Sequence, residues 1–136
     1  MPSITFPARF EFLDEIRQFV GEEARRAGFD EKEIYSIQLA TDEAASNVIE
    51  HAYQGIPDGK IEISCEFRDN ALVIFLRDHG KSFDPRKVRV PDLKADLSKR
   101  QIGGLGLYLM RRLMDEVRFE VASDGGNLLT MVKRRK

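Results

Sequence analysis

The chain has 136 residues, 42% hydrophobic and 33% charged, with 22 Lys and Arg against 23 Asp and Glu and a formal net charge of -1. That length suits one domain around one core, the composition excludes general disorder, and the near-neutral charge removes any global attraction to nucleic acid or an anionic membrane. A single cysteine excludes an internal disulfide; with no leader-like N-terminus and no apolar run of about eighteen residues, a cytoplasmic protein is expected.

Ser3 to Phe6 read as a short strand before Pro7. Leu13, Ile16, Val20, Ala24 and Ala27 then recur at helical spacing, and Gly28 suits the left-handed residue that ends a helix. Asp30 with Glu33 forms a capping-box pattern for a second helix, whose buried stripe is Ile34, Ile37, Ala40, Ala44, Val48 and Ala52 and which ends near Gly55-Ile56-Pro57. From Lys60 to Arg68 the chain alternates as a half-exposed strand, with Ile61, Ile63, Cys65 and Phe67 on one face. Asp69-Asn70 marks a turn, and Ala71 to Leu76 is almost continuously apolar, so the two strands read as a hairpin with the second more central.

From Lys81 to Ile102 periodicity is lost among Pro85, Pro91 and scattered charges, a length at which loops are usually functional. A helix resumes at Gly104, with Leu105, Leu109, Leu113 and Met114 as its expected core stripe. Val117-Phe119-Val121 reads as a strand, Asp124 to Asn127 as a turn and Leu128 to Val132 as the last strand. The basic tail Lys133-Arg134-Arg135-Lys136 is read as solvated charge rather than a nucleic-acid arm. Hairpins with amphipathic helices for one face predict an α/β (α+β) two-layer sandwich, a mixed and mainly antiparallel sheet covered on one side, in a single domain spanning 1–136.

Three clusters carry chemistry. Glu43 and Asn47, four apart, share a face of the second helix, where a carboxylate suits proton transfer and an amide oxygen suits Mg²⁺. The alternative is that both belong simply to the polar face of an amphipathic helix. Asp78 ends a buried strand and needs a donor, which the exocyclic amine of a base could supply, with Gly80 leaving room for a ring; a turn aspartate capping its own loop is the alternative. Gly103-Gly104-Leu105-Gly106-Leu107 opens a helix whose unpaired N–H groups favour phosphate. It is neither a Walker motif nor a dinucleotide fingerprint. His51 and His79 lack the spacing of a zinc site, and Ser46 and Ser82 lack a nucleophile elbow.

Taken together, Thr41 to Tyr53, Asp78 to Pro85 and Gly103 to Met110 with Met114 to Val117 resemble the anti-sigma-factor serine kinases of bacterial partner switching, within the GHKL ATPase superfamily. The resemblance implies a Bergerat-type ATP site with residues 81–102 as a lid. It implies Glu43 as general base, Asn47 as Mg²⁺ ligand and Asp78 as reader of the adenine amine. Gly80 would floor the base pocket and Phe83 would join the nucleotide site, while Gly103, Gly104, Leu105, Gly106 and Leu107 would meet the phosphates. Lys99 and Arg100 are the candidates for a basic contact to the γ-phosphate, although neither stands immediately before the glycines.

The implied reaction is ATP-dependent phosphorylation of a STAS-type anti-anti-sigma protein, with a sigma factor or another effector as second partner. A homodimer through exposed apolar residues of the first helix is a further expectation. One departure stands out: where the family carries a Gly-Thr pair near the last strand, this chain has Gly126-Asn127-Leu128, leaving Thr130 as the candidate substitute if its strand face permits. A module that binds ATP only as a structural ligand is the competing reading.

Overall fold

The structure is a computed structural model that describes residues 1–82 and 104–136. Strand β1 (Ser3–Pro7) leads through a 3-10 turn at Phe10–Phe12 into helix α1 (Leu13–Arg26). That helix ends on Gly28 at φ 89°, where the Phe29 N–H reaches the Ala24 carbonyl and the Gly28 N–H that of Arg25. This is the paired C-terminal closure that only a residue tolerant of positive φ forms without strain.

Helix α2 (Glu31–Asn47) starts as the sequence predicts. The Asp30 carboxylate accepts the Glu33 N–H at 2.8 Å and the Glu33 side chain accepts the Asp30 N–H at 3.3 Å. At Val48–Ala52 it widens into one π turn, a local unwinding that recurs at functional sites.

Strands β2 (Lys60–Arg68) and β3 (Ala71–Asp78) form the hairpin, followed by α3 (Gly104–Leu113), β4 (Glu116–Val121) and β5 (Asn127–Arg134). The sheet order is β1-β2-β3-β5-β4, and every pairing among the described residues is antiparallel, which narrows the expected mixed sheet. Short hairpin turns join β2 to β3 and β4 to β5, and antiparallel pairing needs no crossover between them.

One sheet face carries Ile61, Ile63, Cys65, Leu72, Ile74, Leu76, Leu129 and Met131, which pack with Ile16, Val20, Ile34, Ile37, Ala40 and Ala44 of α1 and α2 into the main core. The other face holds a smaller cluster of Ala71, Val73 and Val132 with Phe75 against it.

Two expectations change. Among the residues of α3 whose burial is described, Gly106, Leu107 and Met110 are buried, followed by Met114 as expected, while Leu109 and Leu113 are only half-buried; the side chain of Leu105 lies outside those described. The run Leu105 to Met110 is apolar almost throughout, so its period admits either stripe, and the approach of Gly106 to α2 selects the face.

The basic tail is not wholly solvated. Lys133 Nζ donates to the Leu113 carbonyl at 2.7 Å and Arg135 to that of Ala27 at 2.7 Å, so each cation closes a helix C-terminus, where carbonyls lack partners and the dipole is negative. The apolar side chains of α1 turn inward, leaving Phe10, just before it, as the exposed one in that region. No helix among the described residues is long and apolar enough to cross a membrane.

Candidate functional site

A cleft of ≈ 250 Å³ opens where the end of α2, the end of β3, α3 and the start of β5 meet. Its walls are mainly apolar, with Ala44, Val48, Met110, Phe119 and Leu129, and Asn47, Asp78 and Asn127 supply polar groups. A slot of this kind suits a flat ring whose edge is read by a few hydrogen bonds.

Asp78 is 6% exposed at the last position of β3. Its Oδ1 accepts the Gly80 N–H at 2.9 Å and the Asn127 amide at 2.8 Å, so the buried carboxylate is held by two donors. Asn127 stands directly across from it in the β3–β5 register and also donates to the carbonyls of Gly80 at 3.1 Å and Lys81 at 3.2 Å. The turn after β3 is pinned from the other side by Tyr53, whose hydroxyl accepts the His79 N–H at 2.8 Å and donates to the Lys60 carbonyl at 2.7 Å. The Tyr53 ring lies so close to Gly59 that a Cβ there would sit 2.5 Å from it.

Gly80 does not line the cleft. A Cβ on it would lie 2.3 Å from the Ala52 carbonyl oxygen, and the adjacent Lys81 N–H donates to that same oxygen at 2.7 Å. Its missing side chain therefore makes room for the π-turn backbone rather than for a ring, which corrects the expected floor of the pocket.

Gly106 faces the acid and the amide of α2: a Cβ would lie 3.0 Å from Glu43 Oε2 and 3.2 Å from Asn47 Nδ2. The helix that carries the acid and amide and the helix that begins at the glycines are thus in contact. Glu43 and Asn47 are both half-buried, and the Asn47 side chain lines the cleft. Their oxygens are hard donors of the kind Mg²⁺ prefers.

The remaining sequence candidates divide sharply. Gly104 and Leu105 form the first residues of α3 as described. Leu107 is 4% exposed and belongs to the core, so its side chain is not a ligand contact. Thr130 is 2% exposed and pairs with Phe75 and Arg118, on the sheet face opposite Asp78. Its strand face therefore does not permit the expected substitution. Phe83, Arg100 and Gly103, with most of the 81–102 segment, lie outside the described residues.

The two histidines have separate partners, His51 with Glu50 at 3.4 Å and His79 with Asp124 at 3.3 Å. The Asp124 carboxyl lies below its ordinary range because the Gly126 N–H and then His79 hydrogen-bond to it. Among the described residues no three His, Cys, Asp or Glu side chains gather as a metal cluster.

Sequence reasoning missed Asn127 and Tyr53 as parts of this site. Asn127 carried a signal, since it occupies the stretch where the family pattern departs; Tyr53 closes the first motif block, but its role carried none, because its partners are at the start of β2 and just after β3.

Comparison with known proteins identifies the family and the fold. The family model described as histidine kinase-like ATPase domain matches residues 6–133. Among curated proteins, the serine-protein kinase RsbW of Listeria monocytogenes is 34% identical over 120 residues, covering 85% of this chain and 76% of that protein. Its counterpart from Halalkalibacterium halodurans is 36% identical over 134 residues, covering 96% and 80%. Among solved structures, the RsbU and RsbW domains of a Mycobacterium tuberculosis protein share the fold with a TM-score of 0.68 at 20% identity, covering 99% of this chain and 33% of that one. The catalytic domain of histidine kinase ThkA does so with a TM-score of 0.57 at 16% identity, covering 99% of this chain and 98% of that one. Matched over almost all of its length by one family model, and a third identical to curated kinases across most of it, the chain belongs to the histidine kinase-like ATPase family.

Proposed function

We propose that this protein is an ATP-dependent serine/threonine protein kinase and anti-sigma factor, acting in the cytoplasm, which phosphorylates a STAS-type anti-anti-sigma partner and sequesters a sigma factor. The observation that carries the reading is the convergence of Glu43 and Asn47 on Gly106, beside a cleft that Asn47 and Asp78 both line. Relatives named serine-protein kinase at 34% and 36% identity support the same reaction class.

In this reading the Asp78 carboxylate accepts the adenine amine, and the apolar walls formed by Val48, Met110 and Leu129 hold the ring. The backbone N–H groups at the start of α3 face the phosphates, where a helix N-terminus favours anions. Phe83, Arg100 and Gly103, outside the described residues, are the candidates for the remaining nucleotide contacts. Asn47 would hold Mg²⁺ through its amide oxygen, and the ion, when bound, neutralises charge on the transferring phosphoryl group.

Glu43 takes the proton from the acceptor hydroxyl, so the protein's contribution is mainly positioning and one proton transfer. A homodimer remains part of the proposal, but its surface is not the apolar side of α1, which is buried in the core.

The test is transfer of radiolabelled phosphate from ATP, with Mg²⁺, to a cognate STAS protein. Wild type is expected to label it, and Glu43→Ala to reduce the rate by on the order of 10²–10⁴ while ADP binding persists. Complex formation without transfer by wild type would mark the protein as a non-catalytic binding module.

A further inference from the structure

We propose that Asn127 is a positioning residue for base recognition, holding Asp78 as a fixed hydrogen-bond acceptor so that adenine nucleotides are preferred over guanine nucleotides. The inference rests on the ATP-site reading above and goes beyond it by assigning the preference to a second residue.

The Asn127 amide nitrogen lies 2.8 Å from Asp78 Oδ1, 3.1 Å from the Gly80 carbonyl oxygen and 3.2 Å from that of Lys81. All three neighbours are acceptors, so the amide has one orientation: turned over, its oxygen would face three oxygens. An NH₂ group has two hydrogens to share among them, whereas a hydroxyl at this position has one. Asn127 therefore ties the carboxylate and the backbone that follows it into one unit.

The consequence falls on the carboxylate. Asn127 and the Gly80 N–H both donate to Oδ1, which restricts the rotation of a group that lines the cleft and reserves its second oxygen, in this proposal, for the ligand. A fixed acceptor attracts the exocyclic amine of adenine and repels the oxo group that guanine carries at the same ring position. A carboxylate free to rotate discriminates less, because it can swing away or recruit water. Asp78 is 6% exposed, so a carboxylate that loses one of these donors is left short of a partner and turns to find another.

Equilibrium titrations of the full chain with ADP and with GDP test this, comparing wild type, Asn127→Leu, Asn127→Ala, Asn127→Ser and Asp78→Asn. Wild type is expected to prefer ADP. Asn127→Leu should reduce the ADP-over-GDP preference about tenfold, the size of one hydrogen bond to a charged group, and Asn127→Ser, which keeps one donor, should reduce it less. A purely structural role would weaken both nucleotides equally and leave the ratio alone. If Asn127→Leu melts cooperatively like wild type yet keeps the wild-type ratio, the proposal is wrong; if that variant does not fold, an unchanged ratio in Asn127→Ala, which also removes both donors, is equally decisive. Should Asp78→Asn bind ADP as wild type does, or wild type bind neither nucleotide, the ATP-site reading itself falls and this proposal with it.

Discussion

Gly80 and Gly106 both lie against another part of the chain, but a methyl group on each would meet different things. At Gly106 it would meet side-chain atoms of Glu43 and Asn47, which can yield by a few tenths of an ångström. Gly106→Ala is therefore expected to leave the unfolding free energy within about 1 kcal/mol of wild type, since alanine also favours the helix. Phosphoryl transfer should drop by on the order of tenfold to a hundredfold, because the acid and the amide are displaced from their working geometry. Urea unfolding and a transfer assay on the same preparation separate the two effects.

At Gly80 the methyl would meet the Ala52 backbone at 2.3 Å, which cannot move aside without disrupting the π turn. Gly80→Ala should therefore lower the unfolding free energy by about 1–3 kcal/mol, read by chemical denaturation. Both positions stand out in the sequence as glycines in motif blocks. Which surface each one touches is a matter of packing, and so the role expected for Gly80 moved from ligand to backbone contact.

Among the elements, the helices of the N-terminal half were legible almost residue by residue. Ile34, Ile37, Ala40, Ala44 and Val48 are buried as their spacing predicts, and the Asp30–Glu33 box forms in full. A stripe is readable when the opposite face is polar, as it is here. The last strand was not readable in this way. Leu128, Leu129, Met131 and Val132 are apolar on both faces, so alternation cannot say which side Thr130 takes.

The tail escaped for a different reason: its cations act on helix ends far away in sequence. Arg135 closes α1 and stacks over Phe67, with its guanidinium carbon 5.3 Å from the ring centroid. Arg135→Ala is expected to reduce stability by about 1–2 kcal/mol, from the lost hydrogen bond and cation–π contact. Lys136→Ala, at an exposed residue, should leave the urea midpoint unchanged.

For the molecule as a whole, the core supplies its own titration probe. The Cys65 thiol, 1% exposed between the sheet and α1, is pushed up from 9.0 to about 12 by burial, with Glu23 adding to the shift. The folded state therefore keeps its proton where the unfolded chain gives it up. Stability from this group is fully present below pH 9.0 and is lost as the pH rises through the window that ends near 12. Urea unfolding of wild type and Cys65→Val at pH 8 and at higher pH is expected to show the steeper alkaline decline in wild type alone.

By itself the sequence determined the elements, their caps, the sheet-and-helix class and the three motif blocks, because these depend on periodicity and on residues within a few positions of each other. Tertiary structure decided what meets Asp78. Pairing β3 with β5 brings Asn127 across from a residue 49 positions earlier, and the π turn sets Tyr53 under His79. Local pattern records which residues prefer burial; it does not record which two strands become neighbours, and the geometry of this site is a property of that neighbourhood.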